Sequence, residues 1–481
     1  MKPTTPANNL DTARPCSAAL EQNGLLQTKL FMPPLRPSAI PRSHLIERLN
    51  AGVDARLILV TAPAGFGKTT LVAQWLAGAE QASGARRAAW LQLEDVDSDV
   101  VRFWCYAIAA LQTVDAGLDI RAMPADAFTR PPEAWLPDLL NKLASGPQMV
   151  LVLDDYHHIR SPAVHQSLNY FLHHAPPNVQ VALVGRADPP LPLARLRVQQ
   201  ELLELRAADL SFTPREIDRY LNGALKLGLA AADIARLARR TEGWPAGVYL
   251  AARSLRDCNQ EARRAFVQSF SGSNRHILHY LLEEVLQFQA PDVRDFLLRT
   301  SLLSRLSAPL CAMMTDRPEA AAAHMLVHLA DAHLFITPLD PSGRWYRYHP
   351  LFAEALATQI RENDPDLWGD LHRRASVWYG RNGHAAYAPG PGQGNGTFDA
   401  SGDEAWDTGA AEVGLQEELT PREAEILSLV ARGASNQEIA DQLVLSVGTV
   451  KGHVNHVFSK LGVHNRTAAV ARARELGLLA S

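Results

Sequence analysis

Residues 56–70, RLILVTAPAGFGKTT, restrict the fold more than any other part of the chain. The run RLILVT reads as a buried strand, and the glycine-rich stretch after it leads directly into a helical pattern. Gly65 and Gly67 let the backbone curl so that its N–H groups converge, a geometry suited to phosphate oxygens. Lys68 is spaced to reach the β- and γ-phosphates of a nucleotide, and Thr69 to offer its hydroxyl to Mg2+. The helix opening near Lys68 adds further N–H groups and the positive end of a dipole. In this strand–loop–helix context the segment is a Walker A loop, with Ala62, Gly65, Phe66, Gly67, Lys68, Thr69 and Thr70 as candidate cofactor-binding residues. Ala62 departs from the general pattern, which has glycine there.

A phosphate loop of this kind needs a second strand ending in acid, and residues 149–155, MVLVLDD, supply one. Asp154 is the candidate Mg2+ ligand, together with Thr69, and Asp155 the candidate for polarising an attacking water, so the two acids are the candidate catalytic pair. Another apolar run ends at Gly185-Arg186, where Arg186 is placed to contact the γ-phosphate or to couple it to the next domain; a surface or interdomain salt bridge is the alternative role. Strand patterns at 56–61, 88–93, 149–153 and 179–185 alternate with helical stretches such as 70–80 and 100–114, which predicts a parallel sheet covered on both faces. An α/β P-loop NTPase domain is therefore expected over 28–205, after a disordered leader over 1–27.

From about Ser211 strand signals nearly vanish. Thr213-Pro214-Arg215-Glu216 places a cap residue, proline at the first helical position and glutamate two residues on, which is a capping box. Ala/Leu/Arg-rich helical patterns continue to about Tyr379 and predict a helical region over 206–300. A second region over 301–386 contains two short strands, 334–339 and 344–348, around the turn Asp340-Pro341-Ser342-Gly343, as in the wing of a winged helix. Residues 387–414 are rich in Gly, Pro and Asp, lack periodicity, and read as a flexible linker.

Beyond the linker the pattern becomes a compact all-α module over 415–481. Thr420-Pro421-Arg422-Glu423 repeats the capping box, Ser435–Glu438 opens a second helix, and Ser446 caps a third. Val450, Val454, Val457 and Leu461 recur at helical spacing and should face the core. Thr449, Lys451, His453 and His456 fall on other faces of that helix and Lys460 near its end, donors suited to phosphates and base edges, and with Ser446 they are the candidate DNA-binding residues. The module carries seven Lys/Arg and seven acids, so its net charge is zero, yet 446–461 holds two lysines and no acid. A neutral module docking proteins is the alternative reading of the same helices.

The whole chain of 481 residues has a formal net charge of -4, which excludes a global positive field but not a small reader module. Its four cysteines, Cys16, Cys105, Cys258 and Cys311, are too dispersed for a zinc cluster and read as free thiols in a reducing cytosol. No apolar run approaches the ~20 residues that span a bilayer, and the N-terminal stretch lacks a signal-peptide core, so no membrane partner is expected. A cytoplasmic location is expected; in a bacterium the chain would be nucleoid-associated when on DNA.

The C-terminal words LTPREAEILSLVARGASNQEIADQLVLSVGTVKGHVNHVFSKLGVHNRTAAVARARELGLL closely resemble the LuxR-type helix-turn-helix. The resemblance implies that 446–461 enters the major groove, with Thr449, Lys451 and His453 on DNA, Lys460 more peripheral, and dimeric reading. Val447-Gly448 departs from the Pro or acid common there. The front of the chain resembles the MalT-like regulators, a branch of the STAND signalling NTPases, through TAPAGFGKTTLVAQWL, VLVLDDYHHI, LPLARLRVQQELLELRAADLSFT, TEGWPAG at 241–247 and RYHPLF at 347–352. Ala62 is ordinary in that branch. The resemblance places Gly243-Trp244-Pro245 in a helical nucleotide-sensing region, Gly185-Arg186 at a sensor position, and His349 in the winged-helix region as a nucleotide sensor, a packed interdomain histidine being the alternative. Such regulators usually carry TPR-like sensor repeats before the reader; residues 387–414 are too short for one. The expected protein is a sequence-specific transcription regulator bound to double-stranded DNA, switched by ATP/ADP with Mg2+ and slow hydrolysis, homo-oligomeric through the NTPase region or the reader, with RNA polymerase as a further partner and no inducer arm. The competing class is a P-loop ATPase with a protein-docking tail.

Overall fold

The computed structural model describes residues 25–36, 39–80, 87–118, 130–131, 134–256 and 258–382, and of the C-terminal part 421–431, 434, 436–443, 450, 454 and 473. Two compact units divide near residue 398.

In the first unit, β1 (Leu57–Thr61), β2 (Arg87–Gln92), β3 (Met149–Asp154), β4 (Val179–Gly185) and β5 (Leu202–Leu205) form one sheet in the order β2-β3-β4-β1-β5. All four pairings are parallel. Alternate side chains go to opposite faces, as strand geometry requires. Ile58, Val60, Val150, Val152 and Val184 meet helix Lys68–Glu80, while Leu59, Leu91, Leu151, Leu153 and Leu183 meet helices Val100–Gln112, Leu136–Ala144 and Pro162–His174. Burial on both faces explains why β1 and β3 read as apolar runs; β4 admits one polar residue, Gln180, whose buried amide donates to Gly52 O at 2.9 Å. The fifth strand was not anticipated: β5 is a short edge strand and only Leu205 of its four residues is buried, so it carries no alternation to read.

The outer side of β2 is crossed by the 3-10 turn Gln27–Leu30. There Lys29, 4% exposed, pairs with the fully buried Asp97 at 2.5 Å and with Glu94 at 3.3 Å. Arg102 completes the satisfaction of Asp97 at 2.9 Å. Residues 25–27 of the expected leader thus lie in ordered backbone, and 1–24 lie outside the described residues.

Past β5 the chain is helical. The Thr213 box forms as read: its side chain accepts from Glu216 N at 3.3 Å, and the Glu216 carboxylate accepts from Thr213 N at 2.9 Å. Thr213→Ala is expected to cost about 1 kcal/mol in urea unfolding; an unchanged midpoint would show the cap to be energetically idle. Helices Ala231–Thr241, Pro245–Leu255, Gln260–Ser269, Arg275–Leu281 and Pro291–Thr300 follow. After Ala308–Thr315 and Glu319–Asp331 come β6 (Ile336–Pro338) and β7 (Tyr346–Tyr348), an antiparallel pair shorter than the sequence pattern. Asp340 closes its turn by accepting from Arg344 N and Trp345 N at 3.1 and 2.8 Å. Helices Pro350–Asn363 and Pro365–Arg381 end this part. One hydrophobic core runs from the Lys68–Glu80 face of the sheet through all of these helices to Tyr379.

In the second unit helices Pro421–Ala431 and Asn436–Leu443 pack Ile426, Leu429, Val430 and Ile439 against Val450 and Val454. No helix among the described residues is long and apolar enough to cross a membrane.

Cys258 and Cys311 are free thiols, as expected. Cys105, on the buried helix Val100–Gln112, is disulfide-bonded, which corrects the reading of all cysteines as free. Sequence spacing carries no information on which cysteines approach in space.

Candidate nucleotide-binding site

The loop between β1 and helix Lys68–Glu80 curls at Gly65 (φ +78) and Gly67 (φ +75), conformations that favour glycine. Lys68 is folded over the loop and donates to Ala62 O at 2.9 Å and Pro63 O at 3.0 Å. It is 7% exposed. Burial pulls its ammonium down to about 8, and the positive charge of Arg186 adds to this against the opposing Asp155 and Asp154.

Asp154 ends β3, separated from β1 by β4. Its Oδ1 accepts from Thr69 Oγ1 at 3.0 Å and from Asp155 N at 3.0 Å. Burial first, and repulsion from Asp155 second, push this carboxyl up to about 7. The hydroxyl–carboxylate pair at the loop base fits Mg2+, which takes one or two protein oxygens and completes its shell with water and phosphate. Among the described residues no cluster of three or more His, Cys, Asp or Glu forms an all-protein cage, as that mode of binding requires none.

Asp155 stands in the left-handed region (φ 57) and its side chain is 30% exposed. Arg186 leaves the end of β4 and donates to Glu284 O at 3.0 Å, with the Glu284 carboxylate 4.0 Å away. It therefore bridges the sheet to the π-turn Leu282–Leu286. His157, which the sequence reading passed over, lies 3.8 Å from Asp155. Burial lowers its imidazole to about 2, helped by Arg186, His158 and Lys68, so it is neutral at physiological pH. Its signal was position alone, two residues past the acidic pair. Asp188 was also missed: it accepts from Thr61 at 3.2 Å, pairs with Arg206 and lies 4.0 Å from His333. Burial works to raise its pKa, but the nearby His333 and the hydrogen bonds from Arg206 hold it well below the usual range.

The middle of the chain reaches the loop directly. Trp244 Nε1 donates to Ala64 O at 3.0 Å, and Ala246 N to Gly65 O at 3.0 Å. Phe66 lies 6.3 Å from Phe335, centroid to centroid. His349 is buried behind this wall: Nε2 meets Thr241 O at 2.8 Å and the ring faces Trp244 and Phe335 at 6.0 and 5.9 Å. Burial lowers its pKa, which keeps it neutral. Ser446, Thr449, Lys451, His453, His456 and Lys460 lie outside the described residues.

Residues 282–368 match the MalT winged helix domain, and residues 417–473 match the bacterial regulatory proteins of the luxR family. The HTH-type transcriptional regulator MalT of Serratia proteamaculans is 34% identical over 371 residues, 76% of this chain and 40% of that protein. The MalT of Klebsiella pneumoniae subsp. pneumoniae is 32% identical over 356 residues, 73% and 38% of the two chains. The chain is homologous to the MalT-like regulators of the LuxR family. It spans about two fifths of the length of these curated relatives. Among solved structures, the Walker-type ATPase PABY2304 of Pyrococcus abyssi aligns at a TM-score of 0.44 and 14% identity, covering 67% of this chain and 97% of that one.

In this MalT-like chain the winged-helix match contains Glu284, Phe335 and His349, so the family region is the one that abuts Arg186, Phe66 and Trp244. The luxR match spans the second unit's core from Ile426 to Val454.

Proposed function

We propose that the chain is an ATP-controlled, sequence-specific DNA-binding transcription regulator. One observation carries the reading: a loop shaped for phosphate is held by segments of the middle region, in a chain whose C-terminal part matches the luxR family. ATP or ADP would lie along residues 62–70, with backbone N–H groups and Lys68 on the phosphates. Thr69 and Asp154 would hold Mg2+, which supplies charge neutralisation on the polyphosphate when bound. Asp155 would orient the attacking water, and Arg186 would report the γ-phosphate to Glu284. His349 would act through Trp244 and Phe335 rather than by touching nucleotide. Hydrolysis serves a switch at any slow rate, because only a difference in domain packing between ATP and ADP forms is needed.

The reader would dimerise on double-stranded DNA with Ser446, Thr449, Lys451, His453, His456 and Lys460 at phosphates and base edges. Oligomerisation of the NTPase part raises the effective concentration of linked readers. RNA polymerase contact, a bacterial cytoplasmic location and the domain limits 28–205, 206–300, 301–386, 387–414 and 415–481 belong to the same proposal.

The test is selection of bound genomic fragments by purified protein with ATP and with ADP. An enriched motif, stronger with ATP, is expected; no motif in either state sinks the reading. Lys451→Ala should weaken DNA binding roughly 10-fold and lower the salt dependence, with ATP affinity unchanged. Equal gel shifts for both proteins would remove Lys451 from the interface.

A further inference from the structure

The carbonyls of the phosphate loop are engaged in sequence. Those of Ala62 and Pro63 accept from Lys68, that of Ala64 from the Trp244 indole, and that of Gly65 from Ala246 N. The last two donors come from outside the α/β domain. A peptide unit is planar, with its N–H antiparallel to its C=O. Holding Ala64 O from the outer side therefore points Gly65 N–H inward, and holding Gly65 O does the same for Phe66 N–H. Inward is the direction in which a phosphate-binding loop must present its donors.

The approach is closer than packing alone requires. A Cβ on Gly65 would meet Ala246 Cβ at 2.5 Å and Trp244 Nε1 at 2.9 Å, so this glycine is demanded by the clamp as well as by its φ. Glycines also seat the indole. Gly243 has φ +74 and passes so near Phe212 that a Cβ would lie 2.5 Å from its carbonyl oxygen, and a Cβ on Gly247 would strike the Trp244 ring at 2.6 Å. Trp244 is fully buried. Its ring is gripped edge-on by Phe335 at 5.3 Å and by His349 at 6.0 Å, and at a tilt by Tyr280 at 5.7 Å. A phenylalanine would fill much of this space; only the Ala64 carbonyl needs the indole N–H.

We infer that Trp244 is a positioning residue of the phosphate loop: its indole N–H, with the Ala246 amide, orients the loop donors and slows nucleotide release for as long as the winged-helix side chains hold the ring. The inference rests on the nucleotide reading above and adds to it the part that sets release. Withdrawal of Phe335 and His349 would draw the indole off Ala64 and free both peptide planes.

The test measures release of N-methylanthraniloyl-ADP from the full chain with Mg2+ by stopped flow. Trp244→Phe keeps the ring and loses the donor. Release should quicken roughly tenfold, the scale of one lost hydrogen bond to a buried carbonyl, with association rate and melting temperature little changed. Ala246→Pro removes the second donor at a first-turn position that tolerates proline, and should act in the same direction. Wild-type release in both variants overturns the inference. If Trp244→Phe does not fold, amide hydrogen exchange of the wild type decides: ADP should protect 244–248 together with 64–68, and protection of the loop alone overturns it. A wild type that binds neither ADP nor ATP removes the nucleotide reading as well, whereas tight binding with unchanged release removes only the clamp.

Discussion

Lys68→Met is expected to lose roughly 100-fold in ATP affinity and yet to make the nucleotide-free chain more stable at pH 7. The first effect follows from losing a charged donor to the phosphates, worth about 3 kcal/mol. The second follows from burial. The ammonium sits at about 8 in the fold against 10.5 ordinarily, because a buried cation beside Arg186 is disfavoured. A base with a lowered pKa contributes its full stability above 10.5 and loses it as pH falls through about 8. At pH 7 the penalty is about 3 kcal/mol. Two hydrogen bonds, to Ala62 O and Pro63 O, offset part of it at about 1 kcal/mol each. Urea unfolding should show Lys68→Met more stable by about 1 kcal/mol at pH 7, with the advantage shrinking toward pH 10. A variant less stable than wild type at pH 7 would mean that the carbonyl contacts dominate.

Asp154→Asn should have the larger pH signature. Its carboxyl is raised to about 7 from 3.8 by burial and by Asp155. An acid with a raised pKa stabilises the fold below 3.8, and that contribution is lost as pH rises through about 7. Between pH 5 and pH 8 the wild type should lose roughly 2–3 kcal/mol through this group, and the asparagine variant should not. Asparagine keeps an oxygen to accept from Thr69, so the comparison isolates the charge. Mg2+ should strengthen ATP binding by the wild type, more at pH 8 than at pH 6, and do little for the variant. Parallel stability profiles for the two proteins across pH 5–8 would place the titration elsewhere. Both predictions rest on the same trade: the site holds charges its fold disfavours, and the proposed nucleotide and Mg2+ would use them.

Much of this was open to the sequence. The runs at 56–61, 149–153 and 179–185 became β1, β3 and β4 because strands buried on both faces must be largely apolar. The Thr213 box was fixed by short-range capping rules, and the helix begun at Pro421 starts where the same pattern places it. Other features had no local signature. β5 is short and half-covered. Lys29 reads as an ordinary surface lysine until Asp97 is placed beside it, 68 positions away. Arg186 was open between phosphate and interdomain partners; its observed hydrogen bond goes to Glu284, 98 positions away.

By itself the sequence determined which backbone would curl around phosphate, which strand would end in acid beside it, and which C-terminal segment would pack as a helical reader. Those are matters of spacing, chirality and apolar period within some tens of residues, and they are written locally. The tertiary structure alone decided what touches the loop from outside. Trp244 lies 180 positions from Ala64, and Phe335 half as far again from Phe66. Such contacts arise only when a common core draws the middle region onto the sheet. Their donors and rings have no fixed offset in the chain, so no pattern of residues announces them.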